Sequence, residues 1–195
     1  MFKQILTIAL LALITYCYSQ QYTSPGQCAD RRVRPVRNLQ FERYGATGRR
    51  WYTVFTHNTA GDCQYINLTL TSNVTVDFFW VVKNLTTNTW NGRPDGVITW
   101  IPPCGTRDAI LSTDYANATS SIIFSIFGID YDGYMLQYRC VDLNSTTRTE
   151  TIYGRSRNTT FTPQQAAKVQ KIISDNGLAD LPLTYAVQDP ALCST

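Results

Sequence analysis

Residues 63–83 read CQYINLTLTSNVTVDFFWVVK, two runs of alternating side chains with a short break between them. In the second run Val74, Val76, Phe78, Trp80 and Val82 alternate with Thr75, Asp77, Phe79, Val81 and Lys83. A period of two belongs to a β-strand, and the more apolar first set is expected to face an interior. In the first run Asn67 opens Asn-Leu-Thr, a glycosylation acceptor. A glycan must face water, so Gln64, Ile66, Leu68 and Leu70 are expected to point inward from the same strand.

Outward from this pair the chain reads as further short strands at 51–57, 97–101, 109–114, 121–127, 133–141 and 148–154. Turn signals separate them: the run ending at Asp62, Asn91-Gly92, Pro94-Asp95-Gly96, Pro102-Pro103 and Asp132-Gly133. In the seventh strand Tyr134, Leu136 and Tyr138 form the apolar set. Eight strands at such spacing make a sandwich or a barrel. A closed barrel of eight strands has room for one small ligand, whereas a sandwich fills its middle with side chains; periodicity does not separate the two.

One strong helix follows the strands, at 163–176. Thr162 is placed to cap it, Pro163 suits its first position, Gln165 completes a capping box and Gly177 stops it. Ala166, Val169, Ile172 and Ile173 share one face, which should pack against the outside of the sheet.

At the other end, Lys3, the apolar run 5–16, and Cys17 and Ser19 at the minus-three and minus-one positions read as a secretion signal cleaved after residue 19. The rest, 20–195, is expected to be a single domain: barrel about 51–155, helix about 163–176, tail 177–195. Cleavage takes the formal net charge from +3 to +2, since only Lys3 leaves, and so even a balance speaks against nucleic-acid binding. No second run of spanning length follows, so stable membrane insertion is not expected. Asn67, Asn73, Asn84, Asn117, Asn144 and Asn158 are all glycosylation acceptors, which fits a secreted, extracellular glycoprotein.

Without Cys17, five cysteines remain, Cys28, Cys63, Cys104, Cys140 and Cys193. Their long spacings do not resemble a zinc site, and an oxidising compartment favours two bridges with one thiol spare. Enzymatic chemistry has little to build on. His57 is the single histidine and has no nucleophile context, and there is no phosphate-binding glycine loop, carboxylate pair or metal-spaced cluster. A lone histidine near a strand end is ordinarily a surface residue. The run Arg31, Arg32, Arg34, Arg37 is either a solvated face or a polyanion site. No cofactor or metal is expected.

Several motifs resemble the lipocalin family, most of all the apolipoprotein D and insect bilin-binding group, from Cys28 to Cys193. Gly48-Arg49-Arg50-Trp51-Tyr52 is similar to the family's Gly-x-Trp-Tyr start, with one residue more. Ile129-Asp130-Tyr131-Asp132-Gly133-Tyr134, followed by Cys140, approaches its Thr-Asp-Tyr signature. Thr113-Asp114-Tyr115 matches that triplet letter for letter but lacks the following strand and cysteine, and is read as a coincidence. Arg157 stands where the family has an Arg just after the eighth strand.

The resemblance implies an all-β fold, an eight-stranded antiparallel up-and-down barrel with one C-terminal α-helix packed outside. It implies that Arg157 lies across Trp51 at the closed end, a cation–π contact worth roughly 0.5 to 2 kcal/mol. The alternatives are a solvated Arg157, or Arg155 in its place. It further implies disulfides Cys28–Cys140 and Cys63–Cys193. Cys104 is then the orphan: a reactive thiol, a link to a second copy in a dimer, or a buried inert thiol.

The function implied is secreted transport of a small hydrophobic ligand, such as a fatty acid, retinoid, sterol or pigment. Phe55, Ile66, Leu68, Phe78, Trp80, Phe124, Tyr134, Leu136 and Tyr138 are the expected lining. The alternative is a plugged barrel whose loops act on a protein partner, as a modulator or protease inhibitor.

Overall fold

The computed structural model describes residues 23–57, 61–116 and 118–193; the expected signal segment and Asn117 lie outside the described residues. One sheet holds β1 (Thr23–Pro25), β2 (Arg50–His57), β3 (Asp62–Leu70), β4 (Thr75–Asn84), β5 (Thr89–Trp100), β6 (Ile110–Tyr115), β7 (Ile122–Asp130), β8 (Tyr134–Asp142), β9 (Thr147–Ser156) and β10 (Leu183–Tyr185). Strands β2 to β9 are the eight that the sequence predicts. Each is antiparallel to the next, and β9 returns to β2 with Tyr52 opposite Ser156 and Thr56 opposite Tyr153. That last pairing closes a barrel and settles the choice against a sandwich. At the seam β1 extends the ladder of β9, and β10 that of β2.

Strand β5 is longer than its prediction. It begins at Thr89 instead of 97, so Asn91-Gly92 and Pro94-Asp95-Gly96 lie within a strand. The turn lies at 85–88, where the Asn84 side chain accepts the N–H groups of Thr86 and Thr87 at 2.9 and 3.1 Å. The two glycines answer to β4 across the ladder. A Cβ on Gly96 would stand 2.5 Å from the Phe78 ring, and 2.4 Å from the backbone oxygen of Asp114 on β6; one on Gly92 would stand 2.9 Å from the Phe79 ring. Strand glycines here mark close approach, beside a register shift between Phe78 and Trp80.

Two apolar clusters sit on opposite sides of the barrel wall. The inner one joins Trp51, Leu68, Val76, Trp100, Leu111 and Met135 to Leu39, Phe41 and Tyr44, the last two from the one-turn helix α1 (Phe41–Tyr44) that plugs one end. The outer one joins Val54, Phe55, Phe127, Leu136 and Ile152 to Val169 and Ile173 of α2 (Pro163–Asp175) and to Leu178. Each such side chain contributes about 1.5–3 kcal/mol when fully withdrawn from water. Helix α2 is capped as read: Thr162 Oγ1 accepts from Gln165 N at 3.2 Å, and Gln165 Oε1 accepts from Thr162 N at 2.9 Å.

Disulfides Cys28–Cys140 and Cys63–Cys193 fasten both ends of the described chain to the barrel, the second from the short helix α3 (Pro190–Cys193). Across 112 and 130 residues, the chain-entropy model gives each about 4–5 kcal/mol. Cys104 is exposed, so of its three readings the buried inert thiol is removed.

His57 is 2% exposed, contrary to the surface reading, and its Nδ1 lies 2.9 Å from Pro182 O, tying β2 to the tail. Arg31 is engaged by Glu150 at 2.7 Å and Asp180 at 2.8 Å, which takes it out of any polyanion site.

Candidate ligand site

Above the inner cluster the barrel is hollow. A cavity of about 330 Å³ receives side chains from seven strands. Strand β3 supplies Gln64 and Ile66, β4 Phe78 and Trp80, and β5 Ile98. Thr113 and Tyr115 come from β6, Ile122 and Phe124 from β7, Gln137 from β8, and Tyr153 and Arg155 from β9. Ile66, Phe78 and Ile98 belong also to the inner cluster, so the apolar floor runs straight into the cavity wall.

Most of this wall is hydrocarbon and aromatic ring. Its one cation among the described residues is Arg155, which is 7% exposed. Its Nε donates to Gln137 Oε1 at 3.0 Å and its Nη1 to Thr53 Oγ1 at 2.7 Å, and the guanidinium carbon lies 4.8 Å from the centre of the Tyr153 ring. Burial pulls the guanidinium below an arginine's usual pKa, with the nearby tyrosines, Tyr153 foremost, offsetting part of the fall.

The expected lining residues divide. Ile66, Phe78, Trp80 and Phe124 reach the cavity. Leu68 lies in the packed inner cluster. Phe55, Tyr134, Leu136 and Tyr138 are on the other side of the wall, in the outer cluster beneath α2 and the tail. For β8 the interior parity is Met135 and Gln137, the reverse of the expectation. The reason is physical: a helix covers the outer face of β8, so that face is the more apolar one, while the inner face carries the polar groups of the cavity. A β-bulge between Thr53 and Phe55 shifts β2 in the same sense, leaving Thr53 at Arg155 and turning Phe55 outward.

Several cavity residues went unread. Tyr153 and Arg155 share one face of β9 while Ile152 shares the other with the helix. Thr113 and Tyr115, set aside as a chance triplet, both face the cavity. The alternation in 152–155 was the available signal, and its apolar parity pointed the wrong way.

Solved structures share this architecture. Lobster apocrustacyanin A1 is 17% identical, with 89% of this chain and 94% of that one covered at a TM-score of 0.67. Insecticyanin from the tobacco hornworm Manduca sexta is 13% identical, with 88% and 91% covered at a TM-score of 0.74. The allergen Per a 4 from cockroaches is 19% identical, with 80% and 92% covered at a TM-score of 0.59. The chain has a lipocalin-like fold. At these identities the likeness is one of fold, and the sequence matches no protein-family model and no curated protein.

The residues read as lipocalin signatures meet at the closed end of the barrel. Gly48, at φ +80°, precedes β2. Trp51 is fully buried, and Arg157 lies over its ring with the guanidinium carbon 3.5 Å from the centroid. Arg157 Nε donates to Tyr131 O at 3.0 Å. Burial, and then the charge of Arg49, lower its pKa to about 10. Tyr131 accepts from Gln40 N at 2.8 Å, and Asp130 ends β7 at the same turn, where its carboxylate accepts from Asp132 N at 3.2 Å. Arg155, the rival for the place over Trp51, is the cavity arginine instead.

Of the glycosylation acceptors, Asn73, Asn84, Asn144 and Asn158 are exposed and Asn67 is half-buried.

Proposed function

We propose that the protein is a secreted carrier of one small hydrophobic molecule held inside the barrel. The observation that carries this reading is the cavity itself. A barrel that acted only as a scaffold would have its interior filled by side chains, whereas here Ile66, Phe78, Trp80, Ile98, Ile122 and Phe124 wall an unfilled space. Its volume of about 330 Å³ is at the small end of ligand sites, which run from about 300 to 1,000 Å³. That suits a single acyl chain or a compact ring system. Burial of apolar surface supplies most of the affinity, at roughly 25 cal/mol per Å², less the cost of ordering.

The two disulfides and the exposed acceptor sites support an extracellular setting. Asn84 and Asn144 stand at the β4–β5 and β8–β9 hairpins, both at the end opposite α1. Glycans there would crowd the loops that a protein partner would need, which favours the carrier over the loop-acting alternative.

Native mass spectrometry of protein secreted from eukaryotic cells and trimmed of glycans tests the reading, followed by extraction of whatever is bound. A stoichiometric apolar adduct is the expected result. A clean unliganded mass, unchanged after incubation with fatty acids, retinoids and sterols, would overturn it.

A further inference from the structure

Among the described residues two arginines are buried, Arg148 and Arg155, and they differ in their partners. Outside the barrel wall, Arg148 is 5% exposed and meets Glu150 at 2.9 Å, and Arg31 meets both Glu150 and Asp180. Inside it, Arg155 is equally withdrawn, yet among the described residues no carboxylate oxygen lies within 4.0 Å of its guanidinium. Its polar partners, Gln137 and Thr53, are neutral, and the described residues that line the cavity include no Asp or Glu.

A buried cation without an anion is a costly arrangement, and proteins ordinarily pair it or remove it. Here the chain does neither. The hydrogen bonds to Gln137 and Thr53 use two of the five guanidinium N–H donors and hold the plane of the group in a fixed position. The remaining donors form a planar fork, the geometry that takes a carboxylate through two parallel hydrogen bonds. Arg155 is also close to the closed end, one residue before Ser156 and opposite Met135 of the packed inner cluster. Tyr153, two residues further from that end on the same strand, also lines the cavity.

We propose that Arg155 anchors the ligand's anionic head group, and hence that the cargo is an amphiphilic acid: one carboxylate on an apolar chain or ring, bound head-inward. This rests on the carrier reading above and adds to it the class of molecule carried. Gln137 and Thr53 are positioning residues for the guanidinium. The carboxylate supplies the missing counter-charge in a dry site, where the pair is strengthened by its low-dielectric surroundings.

Matched probes that differ only at the head test this. Dodecanoic acid is compared with dodecan-1-ol, and retinoic acid with retinol, by titration calorimetry on delipidated, secreted protein. We expect the acid of whichever pair fits to bind between about tenfold and a hundredfold tighter than its alcohol, the range of a charge-assisted hydrogen-bonded pair. In Arg155→Gln that preference is lost, whereas Arg155→Lys, which keeps the charge without the fork, retains part of it. Near-UV circular dichroism checks that both variants fold. If Arg155→Gln does not fold, the unmodified protein's acid-to-alcohol ratio and Arg155→Lys still decide. Equal affinity for acid and alcohol in the unmodified protein, or a preference that survives in Arg155→Gln, overturns the anchor while leaving the carrier intact. Binding of neither pair overturns the anchor; a stoichiometric apolar adduct in the native mass spectrum then keeps the carrier reading, and a clean unliganded mass overturns that too.

Discussion

The guanidinium carbon of Arg157 stands 3.5 Å from the centre of the Trp51 ring, and its Nε is held by Tyr131 O at 3.0 Å. The lid over the tryptophan is thus fixed by the turn between β7 and β8, and three separate segments meet at one ring. Truncating the lid and truncating the ring should therefore differ in scale. Arg157→Ala is expected to cost about 1–2 kcal/mol in urea unfolding, from the cation–π contact and one charged hydrogen bond. Trp51→Ala leaves a cavity in the inner cluster and is expected to cost about 3–5 kcal/mol. Equal costs would mean that the arginine does more than cover the ring.

Gly154 is opposed by Phe55 on the outer face. A Cβ at Gly154 would fall 2.2 Å from the Phe55 Cζ and 2.3 Å from its Cε1. Gly154→Ala should destabilise by about 1–3 kcal/mol through overpacking. A smaller residue at 55 should relieve it, so Phe55→Leu combined with Gly154→Ala is expected to lose less than the sum of the two single changes. An additive result in the double-mutant cycle would count against the clash.

Trp80 and Leu136 offer a direct check on which side of the wall each faces. Trp80 lines the cavity and is half-buried, so Trp80→Ala should weaken binding of the extracted cargo by about tenfold with a modest loss of stability. Leu136 is fully buried under α2, so Leu136→Ala should cost about 2–5 kcal/mol and leave the cargo's affinity little changed. Affinity measured on both variants at a temperature where each is folded separates the two roles.

Acid should loosen the outer network. Burial alone would raise the Glu150 pKa, but hydrogen bonds from Arg31, Tyr138, Ser24 and Arg148 outweigh it and hold the carboxyl at about 2. A folded pKa below the unfolded value contributes stability that is present above about pH 4.5 and lost as pH falls toward 2. Asp180, lowered chiefly by its hydrogen bond from Arg31, titrates in the same direction. The protein is expected to lose on the order of 1–3 kcal/mol across that window on account of Glu150. Glu150→Gln, less stable at neutral pH, should show a shallower slope between pH 4.5 and 2; an unchanged slope would sink the assignment.

How far the sequence can be read follows from what covers each strand. Strands β3 and β4 lie where the outer face meets water over much of its length, and there alternation identified Gln64, Ile66, Phe78 and Trp80 as inward. Strands β8 and β9 carry α2 on the outside and a partly polar cavity within, so the apolar parity named the helix-facing set, Tyr134, Leu136 and Tyr138. Local chemistry was the most legible level, as in the capping box of Thr162 and Gln165. Arg155 was the least legible, because no motif distinguishes an arginine over a tryptophan from one two residues earlier inside a cavity. Gly92 and Gly96 misled for a related reason: a glycine that clears a neighbouring ring is written with the same letter as one that turns the chain.

The seam of the barrel has a bearing on how concentrated the protein can be kept. Strand β9 pairs with β2 only toward its end, and its beginning, Thr147 to Thr149, is taken by β1; β2 gives its last residues, Phe55 to His57, to β10. The stretches where the ladder opens are thus occupied by the first and last strands of the described residues, each pinned nearby by a disulfide. Among the described residues, what remains outermost is two strands of three residues, one of them closed by Pro25. Runs so short, one lacking an amide at its tip, make poor templates for edge-to-edge growth. A fluid crowded with copies of this molecule should stay clear, and cutting either disulfide should be the first step toward a precipitate.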